Sequence, residues 1–493
     1  MIIHKLKYSM KKLLLIAALV ASCVSARAEL RLRNVFSDGM VLQQKSQAAI
    51  WGTADKGATV KVQASWSDTP VSCKADNEGK WKLTIPTPDG SYETRSITVT
   101  SGKEKITVNN VLIGEVWLGS GQSNMEMMMD GSEYGYVDCP VRDAVKYIAQ
   151  APADNKIRMF TVPRNQTYDI QEDVEAQWRG ANPQTIARMS ATSYFFARKL
   201  NEMLDVPVGM IVCAFGGARV ESWIPQDILQ TYPDEDLSKE HIDKMFFMHK
   251  PFMAYNAMLA PMRGYTIKGF IWYQGCSNIG KDQQYAGRLS DMVARWRKEW
   301  GDNDASLPFY QVEIAPCTQH SPLNQAAELR QAQHDAARLI PNCSIIVTND
   351  LLDEYEKWNI HPSLKEPVGD RLAYLALNRD YGFTGIPCYS PEAVGATLAR
   401  DGKNIVLELT EVSPLGVNRE QGITGLEVRD SEGNWHKTSE VQFSNWTKQL
   451  TVKCDGIEGV TAIRYGWGDY APGNLKNIYG LPVTPFNIEV KRP

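Results

Sequence analysis

Strand-like and helix-like segments alternate between residues 108 and 384, and this alternation constrains the fold more than any other feature of the chain. The strand-like segments are apolar runs rich in β-branched or aromatic residues, whereas the helix-like segments repeat apolar residues at helical spacing. The pattern predicts an α/β fold in which a parallel sheet carries helices on both faces. The predicted strands are 111–118, 206–215, 267–273, 306–314 and 343–348, and the predicted helices are 192–204, 285–300, 326–339 and 368–377.

Both flanks of this region show the period-two alternation that is typical of half-buried strands. Residues 80–85 and 96–100 alternate before it, and residues 403–409 and 449–453 alternate after it. Short strands separated by turn residues favour β-sandwich-like regions at both ends of the chain. The predicted division is a signal peptide at 1–28, an N-terminal β-domain at 29–107, an α/β domain at 108–384 and a C-terminal β-domain at 385–493.

The first 28 residues have the composition of an export signal. Four lysines precede the apolar run 13–20, which is too short to span a bilayer, and Ala26-Arg27-Ala28 suits a cleavage site. We therefore predict an exported protein, periplasmic or secreted. A competing interpretation is that Val20-Ala21-Ser22-Cys23 is a lipobox, which would make the protein a membrane-anchored lipoprotein with a lipid on Cys23. No later segment is apolar enough to predict a transmembrane span.

Charge and cysteine content narrow the function classes. The formal net charge of −4 provides no basic field, so a nucleic-acid partner is not expected. The cysteines beyond the signal are widely spread and show no CxxC or histidine-rich zinc spacing, so we expect neither a metal site nor a cofactor. Export permits disulfides, but the sequence does not define their pairing.

Residues 119–126 read Gly-Ser-Gly-Gln-Ser-Asn-Met-Glu and follow the first predicted strand of the α/β region. Two interpretations compete for Ser123. With Glu126 it spells Ser-x-x-Glu, the capping box that starts a helix. Alternatively, the glycines bend the chain sharply and expose Ser123 as a nucleophile on a strand-to-helix turn. Position 125 is Met, so this is not the Gly-x-Ser-x-Gly elbow of α/β-hydrolases.

Two further segments follow predicted strands and carry groups that can stabilise a developing oxyanion. The Gly216-Gly217 pair frees main-chain N–H groups to point into a site, although a plain turn would look the same. Gln274 and Asn278 stand just beyond the strand 267–273. An Asn amide there can donate to an alkoxide, whereas the alternative role for Asn278 is a helix cap.

His361 is the best candidate for a general base. Pro362 disfavours helical geometry at His361 and predicts an extended loop, where an imidazole is available for proton transfer. The alternative is a surface or packing histidine. His320 is the main rival, because it also follows a predicted strand.

Together these segments resemble the sialate O-acetylesterase family of the SGNH (GDSL-like) hydrolases, and the resemblance extends over nearly the whole chain beyond the signal. The matching blocks are Gly-Ser-Gly-Gln-Ser-Asn-Met at 119–125, Gly-Gly-x-x-Val-Glu-Ser-Trp at 216–223, Trp-Tyr-Gln-Gly-x-Ser-Asn at 272–278, and Ile-His-Pro at 360–362 with Lys365 and Val368-Gly369 after it. The flanking stretches Phe36–Gln43 and Ile463–Trp467 are also similar to that family.

The resemblance implies an SGNH-like catalytic domain at 108–384 and a serine esterase that removes acetyl groups from O-acetylated sialic acids. Ser123 would be the nucleophile and His361 the base. The oxyanion would be bound by the N–H groups of Ser123 and Gly217 and by the side chain of Asn278. We expect Gln274 to contact the substrate and Arg219 to bind the sialic acid carboxylate. An Arg219 paired with Glu221 on the surface is the competing interpretation.

Two positions depart from the family pattern. Cys276 stands where the third block usually carries Glu, and Asn359 stands where Asp often lies two residues before the His. A neutral amide does not stabilise imidazolium as a carboxylate does, although its carbonyl can fix the tautomer. Three candidates therefore remain for the group that orients His361: Asn359, a carboxylate such as Asp353 (or Glu354 or Glu356), and a main-chain carbonyl. A dyad, or a triad with a non-standard third member, is favoured over a regular triad.

Two alternative functions remain. Within the esterases, the substrate would be acetylated xylan or another acetylated glycan. In a different class, a non-catalytic glycan-binding protein would retain the hydrolase scaffold, and the changes at Cys276 and Asn359 favour that interpretation.

Overall fold

A computed structural model describes residues 29–131, 141–318, 325–410, 415–416, 422–444, 447 and 449–492. The predicted signal peptide, Cys23 and His320 lie outside the described residues, so export and lipid attachment stay predictions. In the described part of the chain, no helix is long and apolar enough to cross a membrane.

Strands occur throughout the described residues, whereas the helices of the described residues lie within 108–384, the central region. The strands before the central region are Arg31–Leu32, Val41–Gln43, Gln47–Thr53, Thr59–Ala64, Val71–Lys74, Lys80–Pro86 and Ser91–Ser101. The strands of the central region are Glu104–Gly121, Ile157–Thr161, Trp178–Gly180, Val208–Ala214, Gly269–Tyr273, Phe309–Val312 and Cys343–Ile346. The strands after it are Ala393–Leu398, Asn404–Leu409, Leu415–Gly416, Leu426–Arg429, Trp435–Lys437, Val441–Ser444, Gln449–Lys453, Ala462–Tyr465, Lys476–Asn477 and Phe486–Glu489.

Helices occur between the strands of the central region. The α-helices are Ser123–Glu126, Ala144–Ala149, Ala191–Leu204, Gln226–Leu229, Lys239–Lys244, Asp282–Glu299, Gln325–Leu339 and Glu366–Asp380. A π-helix covers Tyr255–Leu259, and the 3₁₀ turns are Ile186–Arg188, Val220–Trp223, Phe247–His249, Ala260–Met262, Cys276–Asn278 and Glu354–Glu356. The four long helices agree with the four predicted ones to within a few residues.

The strands in the middle of the central sheet are parallel, whereas Trp178–Gly180 and Ser91–Ser101 join it antiparallel. The topological switch point lies beside the strand Glu104–Gly121, hereafter the central strand. That strand pairs in parallel with Val208–Ala214 on one side and with Gly269–Tyr273 on the other. Phe309–Val312 and Cys343–Ile346 extend the sheet in one direction, and Ile157–Thr161 extends it in the other. Open α/β sheets bind ligands beyond the carboxyl ends of the strands that flank such a point. The turn after Gly121 lies there.

Side chains of the strand Gly269–Tyr273 show that both faces of the sheet are covered. Phe270 and Trp272 belong to the apolar core that includes residues of helices Asp282–Glu299 and Gln325–Leu339. Ile271 and Tyr273 point the other way, into the core that includes residues of helices Ala191–Leu204 and Glu366–Asp380. A strand buried on both faces has no polar alternation, which is why its sequence is a continuous apolar run. The predicted α/β class, with its covered parallel sheet and flanking β-regions, is confirmed.

The central strand crosses the predicted domain boundary at residue 107. Its first residues pair antiparallel with Ser91–Ser101, and its later residues pair in parallel with Val41–Gln43 and Val208–Ala214. Residues 104–110 alternate in exposure, whereas residues 111–121 are all buried. The sequence pattern near residue 108, which changes from alternating to continuously apolar, therefore reflects a change in burial along one strand. Both regions share that strand.

Candidate active site

The sharp turn after the central strand depends on Gly121. Its φ is +137°, and a Cβ at this position would overlap the main chain of Tyr273. The Gln122 N–H donates to the Tyr273 carbonyl at 3.0 Å, and the Phe215 N–H donates to the Gly121 carbonyl at 3.1 Å. Hydrogen bonds from both neighbouring segments thus fix the turn that precedes Ser123, the first residue of the helix Ser123–Glu126.

The capping-box interpretation of Ser123 and Glu126 is wrong. The cap position is Gln122, which makes no side-chain capping bond. The Glu126 carboxylate instead forms an ion pair with Arg164 and accepts the Gly216 N–H at 2.9 Å. Glu126 therefore connects the turn at Ser123 with the glycine pair after the next strand.

Ser123 and His361 lie in direct contact although 238 positions separate them in the chain. The distance between Ser123 Oγ and His361 Nε2 is 2.8 Å. His361 lies in the loop between the 3₁₀ turn Glu354–Glu356 and the helix Glu366–Asp380. The pKa of His361 is lowered to about 3, first by burial of the imidazole and second by the positive charge of Lys365. A neutral imidazole at this distance can accept the hydroxyl proton.

Asn359 is bonded to the main chain of His361. Its Oδ1 accepts the His361 N–H at 2.8 Å, and its Nδ2 donates to the His361 carbonyl at 3.2 Å. Both ends of the amide therefore hold the backbone of the residue that carries the imidazole.

The carboxylates considered as partners of His361 have other contacts. Asp353 forms an ion pair with Arg142, and Glu356 accepts the Ser363 N–H at 3.1 Å. These contacts do not support Asp353 as the residue that orients the imidazole. They instead connect two parts of the loop around His361 with Arg142.

Gly217 follows the strand Val208–Ala214 and has a φ of +76°, a left-handed conformation that side chains disfavour. A Cβ here would overlap Met248. Among the described residues, none accepts a hydrogen bond from the main-chain N–H of Gly217 or of Ser123. Both donors are therefore available beside the turn, as an oxyanion site requires.

Asn278 is completely buried and its amide has a fixed orientation. Its Oδ1 accepts from the Val220 N–H at 3.0 Å and from Gln274 Nε2 at 2.7 Å. Its Nδ2 donates to the Glu221 carboxylate at 3.0 Å, and Glu221 is itself paired with the buried Arg288. Nδ2 also lies 3.3 Å from the other Glu221 oxygen, so both oxygens of that carboxylate face the amide.

The side chain of Gln274 points into the core, whereas a contact with the substrate was predicted. It is completely buried, its Nε2 donates to the Ala218 carbonyl and to Asn278, and its Oε1 accepts from Tyr285 at 3.0 Å. A substrate contact is therefore not supported. Gln274 instead holds the amide of Asn278 in position.

Arg219 is half-buried, and its Nε donates to the Ser277 carbonyl at 3.1 Å. This bond connects the glycine-pair segment with the turn Cys276–Asn278. The competing interpretation, a surface pair with Glu221, is wrong, because Glu221 is buried and paired with Arg288.

Burial raises the pKa of the nearby Cys276 thiol to about 12, so the thiol is protonated at neutral pH.

Sequence reasoning missed a buried lysine behind His361. Lys365 donates to Asn124 Oδ1, and Asn124 Nδ2 donates to the Ile360 carbonyl at 2.9 Å. The residue after Ser123 is thereby connected with the residue before His361. The only sequence signal was that Lys365 lies in the same block as His361, which does not reveal its partner.

Comparisons with known proteins show which family the chain resembles in sequence and in fold. The model of a family described as carbohydrate esterase, sialic acid-specific acetylesterase, matches residues 113–378. Human sialate O-acetylesterase is 28% identical over 509 residues, covering 94% of this chain and 93% of that protein. The sialate O-acetylesterase of Pongo abelii is 27% identical over the same length. The crystal structure of a carbohydrate acetylesterase from Xanthomonas citri superposes with a TM-score of 0.81 and 27% identity, covering 93% of this chain and 99% of that one.

The fold and these matches define a carboxylic ester hydrolase of the carbohydrate esterase class. Within that class, the chain belongs to the sialic acid-specific acetylesterase family, whose model matches more than half of its residues. The alternative of a non-catalytic binding protein is not supported.

Proposed function

We propose that this protein is a serine esterase that removes O-acetyl groups from sialic acids through an acetyl-enzyme intermediate. The observation that carries the proposal is the 2.8 Å contact between Ser123 Oγ and His361 Nε2 at the switch point of the sheet. A hydroxyl in contact with a neutral imidazole is the arrangement that activates serine nucleophiles. In this proposal residues 108–384 form the catalytic region, and the β-regions flank it.

In the first step, Ser123 Oγ attacks the acetyl carbonyl carbon while His361 Nε2 takes the hydroxyl proton. The new oxyanion accepts from the N–H groups of Ser123 and Gly217 and from Asn278 Nδ2. The bond between the acetyl carbon and the sugar oxygen then breaks, and His361 gives its proton to that oxygen. Water then gives a proton to His361 and attacks the acetyl carbon; the bond from that carbon to Ser123 Oγ breaks, His361 returns the proton to Oγ, and acetate is released.

In the same proposal, Asn359 positions His361 through its backbone. The two hydrogen bonds between the Asn359 amide and the His361 main chain support this role. The buried amide of Asn278 is supported in turn by Gln274 and Glu221. Groups held in this way need no rearrangement as charge develops in the transition state.

The acetyl donor is tested by measuring acetate release from three substrates: O-acetylated sialic acid, acetylated xylan and a chromogenic acetate. A sialate esterase has its highest kcat/KM on the first. Release from acetylated xylan alone would replace the proposed substrate by an acetylated polysaccharide, which is the alternative within the esterases. Release from the chromogenic acetate alone would contradict both substrates.

Arg219 provides a test of sialic acid recognition, because sialic acid carries a carboxylate. We expect Arg219→Ala to raise KM for O-acetylated sialic acid by roughly ten- to a hundredfold, the cost of one charge-assisted hydrogen bond. KM for a neutral acetyl ester should change little. Arg219→Lys is the matched control, since it retains the charge and should recover part of the loss. Equal effects of Arg219→Ala on both substrates would remove the arginine from this role.

The pH profile tests the role of His361. Because the pKa of His361 is lowered, the imidazole stays neutral to acid pH, and the base form is lost only as the pH falls through that pKa. We expect the acid limb of kcat/KM to lie well below pH 6.5, the ordinary pKa of histidine. In Lys365→Met, which removes the nearby positive charge, the limb should move to higher pH. Lys74→Met, an exposed change in the N-terminal region, is the control. A wild-type limb at 6.5 or above would contradict this assignment.

A further inference from the structure

A cleft with a volume of about 960 Å³ lies in the C-terminal β-region, and one residue of the central region contributes to its lining. Residues 423–427 and 437–439 contribute to its lining, and residues 467–472 form a further part of it, hereafter the 467–472 wall. The lining residue from the central region is Thr318. Ligand sites are typically clefts of about 300–1,000 Å³ and are frequent at domain interfaces. None of the proposed catalytic groups lines this cleft.

The cleft adjoins the loop that carries His361. The N–H and Oγ1 of Thr318 donate to the Lys357 carbonyl at 2.7 and 2.9 Å, four residues before His361. Tyr470 also lines the cleft, and burial first and the negative charge of Glu354 second raise the pKa of its hydroxyl. Thr318 thus connects the cleft with the loop that carries His361.

The wall formed by residues 467–472 is fixed on the central region. The Asp469 carbonyl accepts the Cys317 N–H at 2.8 Å, and its Oδ1 accepts the Ala326 N–H at 3.0 Å. Arg330, which is buried, donates to the Gly468 carbonyl. A rigid wall suits a binding site, because little conformational entropy is lost when a ligand is bound.

The side chains of the cleft combine aromatic rings with charges that cancel. Trp467 and Tyr470 are half-buried and present ring surface of the kind that packs against the apolar face of a sugar. Arg464 is paired with Glu427 at 2.7 Å, and Lys437 and Asp469 add one charge of each sign. A site for a polyanion would instead carry an excess of positive charge. Rings, hydroxyls and balanced charge fit a neutral, polyhydroxylated ligand.

We propose that this cleft binds the neutral sugar units to which the acetylated residue is attached, so that the substrate is an acetylated oligosaccharide or longer glycan. The inference rests on the proposed esterase function and adds a subsite to it. The acetylated residue reaches Ser123, and the remaining sugars extend past the His361 loop into the cleft.

The test compares long and short substrates with the same acetyl group. One pair is O-acetylated sialyllactose and free O-acetylated sialic acid, and the other is acetylated xylotetraose and acetylated xylose. For each pair, the ratio of kcat/KM on the long substrate to kcat/KM on the short one is measured in wild type, Trp467→Ala and Tyr470→Ala. The ratio does not depend on the fraction of folded enzyme. Tyr479→Ala, an exposed aromatic of the same region outside the cleft, is the matched control.

We expect wild type to prefer the long substrate and each cleft variant to lower the ratio by roughly tenfold, the loss expected of an aromatic contact at a binding hot spot. Tyr479→Ala should keep the wild-type ratio. Ratios in both cleft variants that equal the wild-type value would overturn the inference. If wild type releases acetate from neither sialate, the sialate proposal fails by itself, and the xylose pair still decides whether the cleft binds glycan.

Discussion

Ser123→Ala is expected to lower kcat for acetate release by about four to six orders of magnitude, the loss found when a serine hydrolase loses its nucleophile. The hydroxyl of Ser123 is in contact with His361, whereas the turn around it is held by main-chain bonds of Gly121 and Gln122. The fold should therefore survive the change. Thermal unfolding, followed by circular dichroism, checks that it does.

Ser120→Ala is the matched control for this variant. Ser120 lies three residues earlier, is equally buried, and its Oγ has no hydrogen-bond partner among the described residues. Replacing such a hydroxyl by hydrogen removes no bond, so kcat should keep its wild-type value. If Ser123→Ala retained activity comparable with Ser120→Ala, Ser123 would not be the nucleophile.

His361→Ala is expected to reduce kcat by a similar amount, about four to six orders of magnitude, because the nucleophile and its base act as a unit. The double variant Ser123→Ala/His361→Ala should then be hardly less active than either single variant. The exposed His241→Ala is the control and should be fully active. If the two single losses multiplied in the double variant, the two residues would be acting independently, and a Ser–His mechanism would be contradicted.

The central sheet was predictable from sequence because its strands are buried on both faces. A continuous apolar run such as Gly269–Tyr273 is easily recognised, and the structure places it within two residues of the prediction. The strand Ile157–Thr161 was missed because it contains Arg158. That guanidinium is buried and donates to the carbonyls of Gly39 and Asn110, two partners far away in sequence. A charged residue in a buried strand hides the apolar pattern that identifies the strand.

The parts of the site that sequence predicted are those set by local geometry. A strand followed by a glycine turn placed Ser123 and Gly217 at one edge of the sheet, because parallel strands end on the same side. The direction in which a side-chain amide points after the end of a strand is not determined by the local sequence. Gln274 turns into the core towards Tyr285, and Asn278 is fixed by a buried Glu221 that belongs to another segment. Such cross-links depend on the tertiary structure and leave no signal in the sequence.

The contacts of Asn359, two residues before His361, were also not predictable from the sequence. Asn359 occupies the position where the family often has Asp, and its amide bonds the main chain of His361. Asp353 was an alternative partner from sequence. It instead forms an ion pair with Arg142, and no motif in the sequence predicted that pair.

The most direct measurement is to trap the acetyl-enzyme. Wild-type protein is mixed with a chromogenic acetate, quenched in acid during the first turnover, digested and mapped by mass spectrometry. The proposed mechanism predicts one added acetyl group, located on Ser123. An acetyl group on another residue such as Cys276, or hydrolysis through many turnovers with no acetylated peptide at any quench time, would contradict it.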